Sequence, residues 1–397
     1  MLATAIRRRL GAVHESHPRL LQLIVLYLAV KVGLVLVALI GSQLLPFNWQ
    51  LYNDNLVLDS QNLPDLFRPF NTWDTQHYLL LSQRGYGVNP MSNAFYPLFP
   101  YLIRAFTPLF FGKGLIAAYV VANLLSLLVP VYMYRLSCLF GTPEQAFRAT
   151  VLLLAFPTAF FMSSAYSEAL YLALCLMAFY YLFTSEVWKS CLFCFLLPLA
   201  RAQALLFVVP IAVLFLQALL SRNGDFKANA ARATSHFLPP ALATLLGVAT
   251  YLAFCRWQLG GYLAGLSAQQ FYIANNSLGN LLSPVRWYLD NFVHIQTQLH
   301  GYTNSLIDRA AFLLCLPLLV GIYRTEHKAL FAYAAVTLLI PALAGSFMAY
   351  TRYLLVVFPV FMYLGMRFER PVYYLLPPMF AMQVLFYLMH TGGYWVA

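Results

Sequence analysis

Residues 20–45 read LLQLIVLYLAVKVGLVLVALIGSQLL, with Lys31 as the one charged side chain. About 20 consecutive apolar residues in a helix cross the hydrocarbon core of a bilayer, so this stretch predicts a membrane-spanning helix. Arg7, Arg8 and Arg9 precede it, His14 and His17 read as polar tail residues, and no A-x-A-like cleavage site follows. It therefore reads as a retained first span rather than a removed leader. Lys31 is expected to snorkel or to serve helix packing.

Stretches of the same kind recur at about 115–138, 149–166, 168–184, 190–202, 204–220, 237–257, 307–323, 329–349, 352–366 and 371–390, which makes about eleven spans. The 190–220 region is long for one span and short for two, and Arg201 sits inside it. It predicts a broken pair meeting near Arg201, which is tolerated at membrane depth where backbone lines a polar cavity. Composition agrees: 61% of the 397 residues are hydrophobic and 9% are charged, against about 25% charged in soluble domains. The expected fold is an all-α polytopic membrane protein, a single transmembrane domain over residues 1–397. Neither an internal repeat nor a low-complexity segment is visible. Cys191 and Cys194 form a C-x-x-C inside CLFCFLL, which reads as two small apolar residues one turn apart rather than a metal or redox pair.

A net charge of +11 would suggest nucleic acid in a soluble protein. Here the basic residues stand singly between apolar runs, so no nucleic-acid partner is expected and the charge reports topology. Lys and Arg accumulate on the cytoplasmic side, and the short segments GTPEQAFR (141–148), SRNGDFKANAARATSH (221–236) and YRTEHK (323–328) read as inner, with the N-terminus inside. That leaves two long outer loops, 46–114 and 258–306. Loops of this length are usually functional. Each carries an aromatic amphipathic piece, YPLFPYLIRAFTPLFF (96–111) and SPVRWYLDNFVHI (283–295), expected to lie in the membrane interface.

The same outer side collects four polar stretches: Asn71–Tyr78 with Arg84, Ser163–Glu168, Arg201–Gln203, and Tyr350–Tyr353. Ionisable groups at membrane depth are costly and mark function. Together with Tyr86, which follows Arg84 and Gly85, they offer two carboxylates, Asp74 and Glu168, three guanidinium groups, Arg84, Arg201 and Arg352, and the aromatic faces of Trp73, Tyr78 and Tyr86. A carboxylate can deprotonate a hydroxyl, a guanidinium fork suits phosphate, and aromatic faces pack on sugar rings. No nucleotide motif is present, so a sugar donor on a lipid phosphate, delivered from the bilayer, fits these parts.

At these residues the chain resembles the PIG-V family, the GPI mannosyltransferase 2 type of GT-C glycosyltransferase. The matching stretches are TWDTQHYLLLSQRGYG (72–87), AFYPLFPYLIRAF (94–106), FPTAFFMSSAYSEALYLAL (156–174), ARAQALLFVVP (200–210) and TRYLLVVFPVF (351–361). The resemblance implies a GT-C-like fold with a large first outer loop carrying interfacial helices. It also implies transfer of a sugar, mannose above all, from a dolichyl or undecaprenyl phosphate to a hydroxyl of a glycolipid or glycan. Such an enzyme works with inversion, with Asp74 as base, and without metal or cofactor. It lies in a bacterial inner membrane with the site outside, or in the endoplasmic reticulum with a lumenal site. An accessory membrane subunit is compatible with it.

Other readings stand beside these. Asp74 alternatively caps the helix starting near Thr75. Glu168 is the rival base, or caps its helix after Ser167, or holds a site arginine. His77, one turn after Asp74, either positions donor or acceptor or makes a structural hydrogen bond. Trp73, Tyr78, Arg84, Tyr166, Arg201, Gln203, Arg352 and Tyr353 complete the candidate donor site, with headgroup snorkelling as the plainer role of the arginines. Asp54, Asp59 and Asp65 read as solvated, and Asp308 beside Arg309 as serving a helix dipole or ion pair. A transporter or flippase of lipid-linked sugars is the competing function, and a non-catalytic scaffold the third.

Overall fold

The computed structural model describes residues 17–58, 64–222, 225–272, 278–293, 305–325 and 327–396. Arg7, Arg8, Arg9, His14, Asp59 and much of the second long loop lie outside them. Six helices among the described residues are long and apolar enough to cross a membrane: Pro18–Leu44, Gly114–Cys138, Ala202–Leu219, Phe226–Leu259, Leu306–Tyr323 and Arg370–Thr391. Together with the composition they make an all-α polytopic membrane protein. The count is lower than eleven because other expected spans are short or broken. Glu168–Phe183 has 16 residues and is buried along nearly its whole length. It packs against Gly114–Ser126, Leu128–Cys138 and Val187–Leu196, so neighbouring helices, not lipid, surround it.

Three interruptions shape the interior. The span expected over 149–166 is instead a helix Pro143–Ala155, opened by a Thr142–Gln145 capping box with Pro143 at its first position. It stops because Phe156 precedes Pro157 and is driven to extended backbone (φ −58°, ψ 139°), as a residue before proline tends to be. Terminal carbonyls freed by the stop are met by Gln383, whose Nε2 donates to Leu154 O at 3.1 Å and Phe156 O at 3.0 Å. The chain then turns through a short 3₁₀ helix, Ala159–Met162, before Glu168 starts the next helix. The span expected over 352–366 is also broken, into Tyr350–Leu354 and Phe358–Arg367. At the third interruption the break near Arg201 is present: Leu197–Leu199, around Pro198, ends one arm, Arg201 is extended (φ −160°), and Ala202–Leu206 begins the other. The first two interruptions touch, since Thr158 Oγ1 donates to Thr351 O at 3.1 Å.

Lys31 does not snorkel. It is buried, and its Nζ donates to Asn123 Oδ1 at 2.6 Å and Ser163 Oγ at 3.1 Å. Asn123 Nδ2 in turn donates to Ser163 O at 3.1 Å. An ionisable group on the first span thus ties down the turn that leads to Glu168.

The first long loop folds into the helices Trp49–Asp54, Asp65–Phe70, Asp74–Arg84 and Leu98–Phe106. Leu98–Phe106 buries Phe99 and Ile103 and exposes Tyr101 and Phe106, and Phe111 just beyond is 95% exposed. This is the two-faced pattern of a helix in the interface plane. In the second loop Pro284–Tyr288 is helical, and Trp287 Nε1 donates to Ala342 O at 2.8 Å.

Candidate active site

Each interruption delivers one charged side chain to a common point. Asp74 begins the helix Asp74–Arg84, and Glu168 begins Glu168–Phe183. Arg201 stands in the extended break, and Arg352 in the short helix Tyr350–Leu354. Arg352 Nη1 donates to Asp74 Oδ2 at 2.6 Å, and its Nε donates to Glu168 Oε1. Arg201 Nη1 lies 2.5 Å from the same Glu168 oxygen and donates to Ser167 Oγ at 3.2 Å. The order is Asp74, Arg352, Glu168, Arg201: alternating signs with no net formal charge.

Exposure separates the two carboxylates. The Glu168 side chain is 0% exposed and that of Asp74 is 22%. Burying a charge is costly unless it is paired and hydrogen-bonded, and two guanidinium groups meet that need at Glu168. Asp74 has one arginine and an open side. A capping role for Asp74 is not what the geometry gives: the N-cap position is Trp73, which makes no side-chain cap bond, and the carboxylate turns to Arg352. Trp73 itself has φ 52° and ψ −129°, a backbone region that costs a residue with a Cβ about 1–3 kcal/mol. Two contacts hold that geometry. Asp74 N–H donates to Tyr166 Oη at 3.1 Å, and the Trp73 ring meets Trp395 edge-on at 5.4 Å.

Aromatic rings wall the cluster. The Arg352 guanidinium carbon lies 4.6 Å from the Tyr166 ring centre and 4.7 Å from that of Phe161. Tyr78 Oη and Ser167 Oγ are 2.7 Å apart. Gln203 Oε1 accepts from Arg201 Nε at 3.3 Å, and Tyr353 follows Arg352 directly in the same short helix. The structure therefore brings together Trp73, Asp74, Tyr78, Tyr166, Glu168, Arg201, Gln203, Arg352 and Tyr353.

Arg84 is not among them. It is exposed in the last turn of the helix that Asp74 begins, about 15 Å along the axis from it at 1.5 Å per residue. The open carbonyls there are served by Arg104, whose Nε donates to Ser82 O at 2.7 Å. Sequence reading left Phe161 and His390 out of the site and gave Asp308 only a helix-dipole or ion-pair role. His390, on the last span, packs its ring 5.5 Å from that of Tyr166 and lies 3.5 Å from Thr72 Oγ1. Its signal was available, a lone imidazole in an apolar helix, but no neighbouring motif drew attention to it.

His77 engages Ser92 through Nδ1 at 2.8 Å and stacks on Phe95 at 4.8 Å. Burial pushes its imidazole down to about 4, against a smaller upward pull from Asp74. An unfolded histidine takes its proton near pH 6.5. Between that value and about 4 the unfolded chain binds more protons, so stability is full above pH 6.5 and falls as pH falls. The loss on reaching pH 4 is about 3 kcal/mol. Melting curves in detergent from pH 7 to 4 are expected to flatten in His77→Gln, and an unchanged slope in that variant would contradict this account.

The sequence model of the family described as Mannosyltransferase (PIG-V) matches residues 20–269, a stretch that carries Asp74, Glu168 and Arg201. The GPI alpha-1,6-mannosyltransferase 2 of Cricetulus griseus is 31% identical over 140 residues, which is 33% of this chain and 28% of that protein. The Homo sapiens protein of the same name is 32% identical over 130 residues, 30% of this chain and 26% of that protein. These alignments span little more than a quarter of the curated relatives' length, whereas the family match runs through more than half of the chain. On that match the protein belongs to the PIG-V mannosyltransferase family.

Proposed function

We propose that the protein is a GT-C-type transferase that moves mannose from a polyprenyl-phosphate donor to a hydroxyl of a glycolipid or glycan, with Asp74 as general base. The observation that carries this is the pairing of one half-open carboxylate, Asp74, with a guanidinium, Arg352, that reaches it from the side of a fully buried partner. Asp74 takes the proton of the acceptor hydroxyl. The acceptor oxygen bonds to the anomeric carbon as the carbon–oxygen bond to phosphate breaks, and configuration inverts. Charge is conserved: Asp74 becomes neutral while the departing phosphate gains one negative charge. Arg352 touches the first of these groups and in this reading also meets the second, so it follows the charge across the site. Such preorganised stabilisation is usually the largest single contribution to catalysis, and here it needs no metal. Glu168 serves by fixing both arginines. Arg201, Gln203 and Tyr353 extend the phosphate site, while Trp73, Tyr78 and Tyr166 supply the walls for the sugar. The positive-inside pattern supports a site on the extracytoplasmic side of the membrane.

The test is transfer itself. Purified protein is reconstituted in liposomes with radiolabelled polyprenyl-phosphate mannose and a glycolipid acceptor, and a mannosylated product is expected. Movement of the donor across the bilayer without product would favour a flippase instead.

A further inference from the structure

Arg352 stands on a helix that cannot hold itself. Tyr350–Leu354 has five residues, and isolated helices shorter than about 12–15 residues are marginal. It follows Phe347 (φ 58°) and Ala349 (φ 57°), and Ala349 at the N-cap position provides no side-chain cap. The amide of Thr351 falls among the first N–H groups of that helix, which have no intrahelical partner. A carboxylate from elsewhere meets it: Asp308 Oδ1 accepts from Thr351 N–H at 2.7 Å.

Asp308 sits in the first turn of Leu306–Tyr323, 1% exposed. Its own helix is already capped by Ser305, whose Oγ accepts from Asp308 N–H at 3.2 Å. The adjoining Arg309 is turned to carbonyls, with Nε donating to Asn291 O at 2.6 Å and Nη1 to Ser305 O at 3.3 Å. Whatever Asp308 does within its own helix, its carboxylate also reaches 43 residues ahead in sequence, to Thr351.

We infer that Asp308 is a positioning residue: it caps the Tyr350–Leu354 helix in trans and thereby aims Arg352 between Asp74 and Glu168. A carboxylate accepting a backbone N–H is a charge-assisted bond, and a negative group at a helix start is favourable. The catalytic consequence rests on the reading of Arg352 as the partner of the donor phosphate, while the cap itself does not.

Two measurements on the full chain keep these apart. The first is amide hydrogen exchange of the peptide covering 347–354. Asp308→Ala is expected to speed exchange there, while Asp308→Asn, which keeps an acceptor oxygen, stays near wild type. Should the Ala protein not be recovered folded, Asp308→Ser, too short to reach the amide, takes its place. Unchanged exchange in the shortened variant overturns the inference, whether or not the wild type makes product. The second is steady-state transfer with dolichyl-phosphate mannose. Asp308→Ala is expected to lower kcat/KM for donor about 10- to 100-fold, the worth of a hydrogen bond to a charged group. In an Arg352→Lys background the same change is expected to cost no more than about twofold, because the two residues act as one unit. Effects that multiply in full would overturn the positioning role.

Discussion

Asp74→Asn is expected to lower the turnover number by about 10²–10⁴, the usual worth of a positioned general base, while leaving the fold intact. The substitution is nearly isosteric. An amide oxygen in place of Asp74 Oδ2 still accepts from Arg352 Nη1, which now lies 2.6 Å away, so the guanidinium keeps its aim. What disappears, on the proposed mechanism, is the site that takes the acceptor's proton. Binding of the donor is expected to persist, since Arg352 and Arg201 remain and the competing negative charge is gone. Single-turnover rates with polyprenyl-phosphate mannose, alongside a melting curve, provide the check. A folded Asp74→Asn protein with the wild-type rate would remove Asp74 from the chemistry.

Glu168→Gln is expected to fail differently. Glu168 is fully buried and shares one oxygen between Arg201 and Arg352. Neutralising it leaves two guanidinium groups, 11% and 8% exposed, with Asp74 as the one remaining carboxylate in the cluster. Breaking a buried ion pair from one side costs about 3–5 kcal/mol, a large part of the roughly 5–15 kcal/mol that holds a typical domain folded. The expected result is a lowered melting temperature in detergent, partly restored by added polyprenyl phosphate, whose charge replaces the missing one. Stability within about 1 kcal/mol of wild type, a shift near the average for any point substitution, would show that Glu168 is not the anchor. The two carboxylates are thus separable by experiment: one substitution strikes the rate and spares the fold, the other strikes the fold first.

Much of this arrangement was legible in the sequence because polar residues are conspicuous in so apolar a chain. Asp74, Glu168, Arg201 and Arg352 all stood out as charges at membrane depth, and their convergence needed one assumption, that their segments share a side. Arg84 misled for a related reason. Closeness along the chain was taken for closeness in space, and eleven residues of helix carried it away from Asp74. The span expected over 149–166 was extended through Pro157 because hydropathy continues there, although the restriction that proline places on Phe156 marks the stop. The place of Asp308 and His390 beside the site was not legible. Each meets it through partners far along the chain, Thr351 for Asp308 and Tyr166 and Thr72 for His390, and neither sits in a motif.

The Asp74–Arg352 pair also bears on how the site empties. In the proposed mechanism the lipid phosphate holds Arg352 after transfer, and Asp74 carries the acceptor's former proton. Once that proton passes to water, the carboxylate and the phosphate compete for one guanidinium. The carboxylate is tethered at the start of a rigid helix, so it competes at a high effective concentration. In this account the Asp74–Arg352 ion pair is the spring that ejects spent carrier and resets the site for another cycle. Polyprenyl phosphate should then inhibit Asp74→Asn, which lacks the spring, more strongly than wild type. Equal inhibition constants would mean that the carrier leaves unaided.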